Sequence, residues 1–188
     1  MNSYLLVFLG AGAGGALRHA VNVGCGRLCG TDFPWGILVI NVTGCFVMGL
    51  IAGWRSGVLS AVIMRSLDVI FAFPAVLLAV AIAAILGPGM VNASLSMAIV
   101  LLPYVARIVY VDTIRVRGST FIEAARISGM STPGIVLREV VPNVLSPIIV
   151  YGTTALGGMV VFAAGLSFLG VGVQPPAADW GIMVSDGR

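Results

Sequence analysis

Residues 144–169 read VLSPIIVYGTTALGGMVVFAAGLSFL, 26 consecutive positions without a charged side chain. The hydrocarbon core of a bilayer is about 30 Å thick, and a helix needs about 20 apolar residues to cross it. This stretch therefore reads as a membrane span. Working back toward the N-terminus, residues 91–111, 69–86, 35–54 and 4–25 form four more apolar runs. The sequence thus predicts an all-α integral membrane protein with about five transmembrane helices. The composition of the 188 residues agrees: 59% are hydrophobic and 9% are charged, with a mean hydropathy of +1.09. A soluble domain carries about 25% charged residues.

All ten basic residues are arginine. Without lysine there is no P-loop, Schiff-base or kinase lysine, so the chain is predicted not to be an enzyme and not to hydrolyse ATP itself. One histidine and seven acids leave little for a catalytic triad or a metal site, and the expected cofactors are none. Cys25 and Cys29 are four apart, but no second Cys or His pair follows; with Cys45 they read as small apolar residues. The net charge of +3 does not point to nucleic acid, because the arginines sit at the ends of apolar runs, as the positive-inside rule expects. No cleavable signal peptide is expected, since the first run lacks a basic leader and continues into glycines.

The one long polar segment, residues 112–142, holds Arg115, Arg117, Arg126 and Arg138 and is predicted to be cytoplasmic. Counting crossings from it places residues 55–68 inside, and the turn 87–89 and the tail after Gly170 outside. Arg18 and Arg27 break the pattern, lying toward the outer end of the first run. Arg18 within an apolar run costs about 2.5–3.5 kcal/mol unless paired or snorkelling, which marks it for a structural or ion-facing role. Small residues four apart, at Gly10/Gly14, Ala11/Gly15 and Gly49/Gly53, predict close helix packing in lipid. The glycine run at 10–15 lacks the strand and the downstream acid of a dinucleotide loop.

Within the polar segment, Ser119 or Thr120 is placed to cap a short helix with Glu123 near its first turn. Gly129 is placed to end that helix in a left-handed conformation, and Pro133 to open a second one. The second helix, about 134–141, is expected to stop before Pro142. Ala124 and Ala125 would expose a flat, small surface beside one carboxylate. By pattern alone this suits either a partner-docking surface or an ordinary interfacial helix pair.

Glu123-Ala124-Ala125, then Gly129 and Val141-Pro142, resembles the "EAA loop" of permease subunits of ABC importers. The surroundings resemble the dipeptide, oligopeptide and nickel branch: Met64-Arg65-Ser66-Leu67-Asp68, Phe73-Pro74, Leu86-Gly87-Pro88-Gly89, Arg138, Pro142-Asn143, Leu166-Ser167-Phe168-Leu169-Gly170, Gln174-Pro175-Pro176, Trp180-Gly181 and Asp186-Gly187-Arg188. The likeness covers about 49–188. Glu139 departs from it, where that branch has histidine, and Val141 stands in place of leucine. The resemblance implies that Glu123, Ala124, Ala125, Arg126 and Gly129 dock on an ATP-binding subunit. It implies a second permease subunit and an extracytoplasmic substrate-binding protein as further partners, short peptides or nickel as substrates, and a multi-pass place in the bacterial cytoplasmic membrane. It also implies a final helix after Arg188, which this sequence does not include.

Residues 1–53 carry a different resemblance. Gly14-Gly15-Ala16-Leu17-Arg18-His19 and the stretch from Pro34-Trp35-Gly36 through Asn41 to Phe46 are similar to the first two helices of small dual-topology fluoride channels. That likeness implies a pore role for Asn41, with Arg18 as a second candidate, and a homodimer; without it, Asn41 reads as a helix–helix hydrogen-bonding residue. The broken third helix and the phenylalanine pair of those channels are absent from the sequence. Together the two resemblances imply a chimera joined near 49–53, with a two-helix channel-like segment (1–53) and an incomplete permease domain (54–188). The functional expectation is an ABC importer permease subunit or fragment. The alternatives are a passive fluoride channel and a non-functional fusion.

Overall fold

The computed structural model describes residues 35–187. The first apolar run, with Arg18, Arg27, Cys25 and Cys29, lies outside the described residues. The described chain is helical throughout its regular structure: α1 (Trp35–Trp54), α2 (Val58–Phe71), α3 (Ala75–Leu86), α4 (Met90–Arg117), α5 (Thr120–Ile127), α6 (Thr132–Ile135), a π-helical turn (Val136–Val140), α7 (Val141–Phe168) and α8 (Trp180–Asp186).

The 28 residues of α4 span about 42 Å at 1.5 Å per residue, and α4 is the post on which the other helices lean. α1 lies along it with Cys45, Gly49, Ala52 and Gly53 buried. The glycines set the distance. A Cβ on Gly49 would sit 2.5 Å from the Ala106 carbonyl oxygen, and one on Gly53 would sit 2.5 Å from Thr113 Cβ. The Gly49/Gly53 pair is therefore a packing seam, as its spacing predicts. Cys45 is buried and free, in keeping with its reading as a small apolar residue. The region proposed as a junction falls inside one continuous helix.

The run 69–86, expected as one helix, is not one. α2 and α3 meet at an 83° bend. Pro74 has no N–H to continue the ladder, and it forces the preceding residue out of the helical region; it takes the N-cap position of α3. The 12 residues of α3 reach only about 18 Å, so α2 and α3 together form a broken span. The expected five crossings are accordingly seen, among the described residues, as two helices long and apolar enough to cross a membrane, one bent pair, and the shorter apolar helix Asn41–Trp54.

α2 is tied to α4 by an ion pair between Asp68 and Arg107. The Arg107 guanidinium also lies 4.7 Å from the centre of the Phe71 ring, and Tyr104 meets that ring edge-on at 4.5 Å. Pairing neutralises the cost of holding two charges beside lipid. At its far end α3 is closed by Asn92, whose amide donates to the carbonyls of Leu86 (2.8 Å) and Gly87 (3.1 Å).

The second short helix also departs from expectation, because the chain runs on as helix from Thr132 to Phe168. The π-helical turn makes this possible: the Val141 N–H bonds to Val136 O, five residues back, and the wider turn relieves the clash of the Pro142 ring. The Asn143 amide donates to Glu139 O at 2.7 Å. The long helix ends at a turn where Gly170 takes φ +81. α8 then folds back so closely that a Cβ on Gly181 would overlap the Ala164 carbonyl.

Two hydrogen bonds fix the ends of the bundle. Gly89 N–H donates to Gly172 O at 3.0 Å, joining the turn 87–89 to the tail after α7. Arg117 donates to Trp54 O at 2.8 Å, joining the end of α1 to the end of α4. This grouping is the one the charge pattern requires.

The seam makes a measurable prediction. Gly49→Ala and Gly53→Ala should each lower the thermal midpoint of the purified protein in detergent, at a cost of about 1–3 kcal/mol from overpacking. Gly44→Ala, whose Cβ meets nothing within 4 Å, should leave the midpoint unchanged or raise it.

Candidate functional site: a short helix pair at the arginine-rich end

α5 and α6 are too short to stand alone, and two isoleucines anchor them. Ile122 and Ile135 are fully buried, in a cluster with Val109, Val116, Val140 and Val144. Leu50, Trp54, Ala125 and Met130 pack around that cluster. The pair is thus keyed into the ends of α1, α4 and α7. Between its helices Gly129 takes φ +79, a conformation that strongly favours glycine. Met130 N–H bonds to Ala125 O at 3.1 Å and Gly129 N–H to Arg126 O at 3.0 Å, which closes the end of α5. Pro133 lies at the start of α6. Ser119 occupies the N-cap of α5 without a side-chain capping bond; its hydroxyl donates back to Val116 O at 2.5 Å.

The five residues expected to dock are not all on one face. At about 100° per residue, Glu123, Ala124 and Ile127 share the outward side of α5, and all three are exposed. Ile127 is 88% exposed, a large apolar side chain with none of the described residues over it. Ala125 turns inward against the core cluster. Arg126 turns aside to Trp54, its guanidinium 5.5 Å from the ring centre. Gly129 forms the exposed turn. The outward patch is therefore one carboxylate, one small residue and one isoleucine. Glu123 in the first turn of α5 is also favourably placed against the helix dipole.

Sequence reasoning missed Trp54, Arg117, Ile122 and Ile135. The signals were present: an aromatic beside an arginine where an apolar run ends, and isoleucines at the buried register of each short helix. Asn41 is half-buried, in register with Cys45, Gly49 and Gly53 on the seam toward α4. Among the described residues, no group of three or more His, Cys, Asp or Glu could hold a metal ion.

The family of binding-protein-dependent transport system inner membrane components matches residues 46–188. The chain belongs to that family. Its relatives include the glutathione transport system permease protein GsiD of Pectobacterium atrosepticum, 42% identical over 75% of this chain and 47% of the relative. The dipeptide transport system permease protein DppC of Alkalihalophilus pseudofirmus is 43% identical over 81% of this chain and 49% of the relative. The chain thus spans about half the length of the curated relatives it matches. The family match begins at Phe46, within the stretch read as channel-like, and none of these matches supports the fluoride-channel or chimera reading. As a member of a family of transport-system inner membrane components with apolar helices, the protein is a multi-pass membrane protein.

The anchoring isoleucines make a second prediction. Ile122→Ala should cost about 2–5 kcal/mol of local packing and loosen the helix pair. Limited trypsin digestion in detergent should then cut after Arg126 several-fold faster than in the unsubstituted protein, while Leu137→Ala, at an exposed position, should leave the rate unchanged.

Proposed function

We propose that the protein serves as a permease subunit, or part of one, of an ABC importer that takes up short peptides across the bacterial cytoplasmic membrane, with ATP hydrolysed by a partner. Nickel, the other substrate of the resembled branch, stays a weaker assignment, because the relatives above carry dipeptide and glutathione names. A second permease subunit and an extracytoplasmic substrate-binding protein complete the proposed assembly. The observation that carries the reading is the helix pair: a rigid unit keyed into three long helices, with an outward patch that the described residues leave uncovered. Motion of a partner docked on Glu123, Ala124 and Ile127 would reach α1, α4 and α7 through Ile122 and Ile135, which suits a device that passes nucleotide-driven movement into the membrane. Gly129 supports docking by holding the turn, and Arg126 by holding the pair against Trp54.

Coupling is tested in a complex reconstituted with the ATP-binding subunit. Glu123→Lys and Gly129→Asp should abolish stimulated ATPase activity while membrane insertion is retained. Unchanged co-purification and unchanged ATPase activity would refute the docking surface. Topology is tested by single cysteines in a cysteine-free background. A probe at Ser119 should label only from the cytoplasm and one at Asp179 only from outside; labelling of both from one face would refute the proposed orientation.

A further inference from the structure

Two cavities open beside Trp54, and they share Ser56 and Arg117. The first, about 660 Å³, is lined by Trp54, Arg126 and Thr132 as well. The second, about 310 Å³, runs from Arg55 past Ser60 to Met64 and Ile114. The first presents two guanidinium groups and two hydroxyls; the second adds a third arginine at its rim and an apolar floor. Among the described residues, neither Arg117 nor Arg126 has a carboxylate within ion-pair distance. The two ion pairs seen there use Arg107 with Asp68 and Arg115 with Asp112. Arg117 spends one N–H on Trp54 O, and Arg126 lies over the indole. Each guanidinium has five donors, so most of this capacity is not used by the described residues, and both side chains line the first cavity.

A guanidinium fork matches a phosphate. The surroundings say what carries that phosphate. The cleft lies at the arginine-rich end of the bundle, where Trp54 is placed as an interfacial aromatic. Ala52, Ala61, Met64 and Ile114 line the second cavity beside its arginines, so that wall is largely apolar. A polar cleft continuous with an apolar one fits an amphiphile better than a free ion. The geometry points to a binding site for the phosphodiester headgroup of an anionic phospholipid, held by Arg117 and Arg126, with its glycerol and upper acyl chain over the second cavity. Basic pockets between helices on the cytoplasmic side are suited to such headgroups. Arg126 lies off the edge of the outward patch of α5, so lipid and a docked ATPase occupy different sides of that helix. The site stands on the cleft and does not depend on the docking reading.

The test is native mass spectrometry of the purified full chain in detergent with equimolar dioleoyl phosphatidylglycerol and dioleoyl phosphatidylcholine. The expected result is preferential retention of phosphatidylglycerol, reduced about fivefold for each arginine neutralised in Arg126→Gln and Arg117→Gln. Arg126→Lys should keep most of the preference and Arg138→Gln all of it. The Arg126 side chain is exposed and, unlike that of Arg117, holds no backbone carbonyl among the described residues, so Arg126→Gln remains informative if Arg117→Gln does not fold. An undiminished preference in Arg126→Gln, or an equal loss in Arg138→Gln, would overturn the site. Binding of inorganic phosphate that displaces the lipid at equal concentration would reassign the cleft to a free anion. An unchanged lipid preference in Arg126→Gln with loss of ATPase capture would reassign it to the protein partner.

Discussion

Because Gly49 and Gly53 lack a Cβ, α1 settles onto the backbone of α4 with Ala106, Val109 and Thr113 beneath it. That contact decides where α1 ends. Its last residue, Trp54, arrives beside the end of α4, where Arg117 takes its carbonyl. The indole then becomes part of the support for the short helix pair, touching the core cluster below and the Arg126 guanidinium above. The seam matters because helices in lipid gain no hydrophobic drive toward one another, and close packing has to supply the attraction. A side chain at either glycine would push Trp54 away from Arg117, and the arginine-rich end would lose its frame.

The opposite end is held differently. The turn 87–89 is closed by Asn92 and pinned to the tail through Gly172, and α8 is pressed onto α7 at Gly181. Between the two ends lies the Asp68–Arg107 pair. It holds the broken span α2–α3 to α4 near the bend, where two charges side by side are tolerable and either alone is costly. The break at Pro74 therefore does not loosen the span from the bundle.

Much of this architecture was legible in the sequence, and the misses share a cause. The long runs 91–111 and 144–169, the packing role of Gly49 and Gly53, the left-handed turn at Gly129 and the helix start at Pro133 follow from local chemistry, and the structure shows them. The run 69–86 was misread because uncharged composition outweighed Pro74, although proline without a satisfied ladder is a strong local break. The stop expected at Pro142 was misread in the opposite sense. There a π-helical turn, which nothing in the local pattern signals, lets the helix pass through. Both errors concern how a proline is accommodated, and that is settled by neighbours outside the window. The candidate site was legible as a segment but not as a face. The string from Glu123 to Arg126 gives the residues, while only the burial of Ile122 and the position of Trp54 show that Ala125 and Arg126 point away from the outward patch.

The same separation bears on the proposed docking of a partner on this helix pair. A docking surface that moves with a partner needs a firm hold on the helices behind it, and a hold made of hydrophobic contacts alone resists compression better than tilt. Here Ile122 and Ile135 supply the compressive contact, while Arg126 on Trp54 and Arg117 on the Trp54 carbonyl supply directional ties from a different side. The two sets meet at one residue, so a displacement of α5 cannot be absorbed locally without moving the end of α1. Through the glycine seam α1 is locked to α4, and through Val109 and Val116 the same core cluster reaches α4 directly. Movement of the pair is thus shared between two long helices from the first contact onward, because interiors packed this closely transmit strain instead of yielding to it.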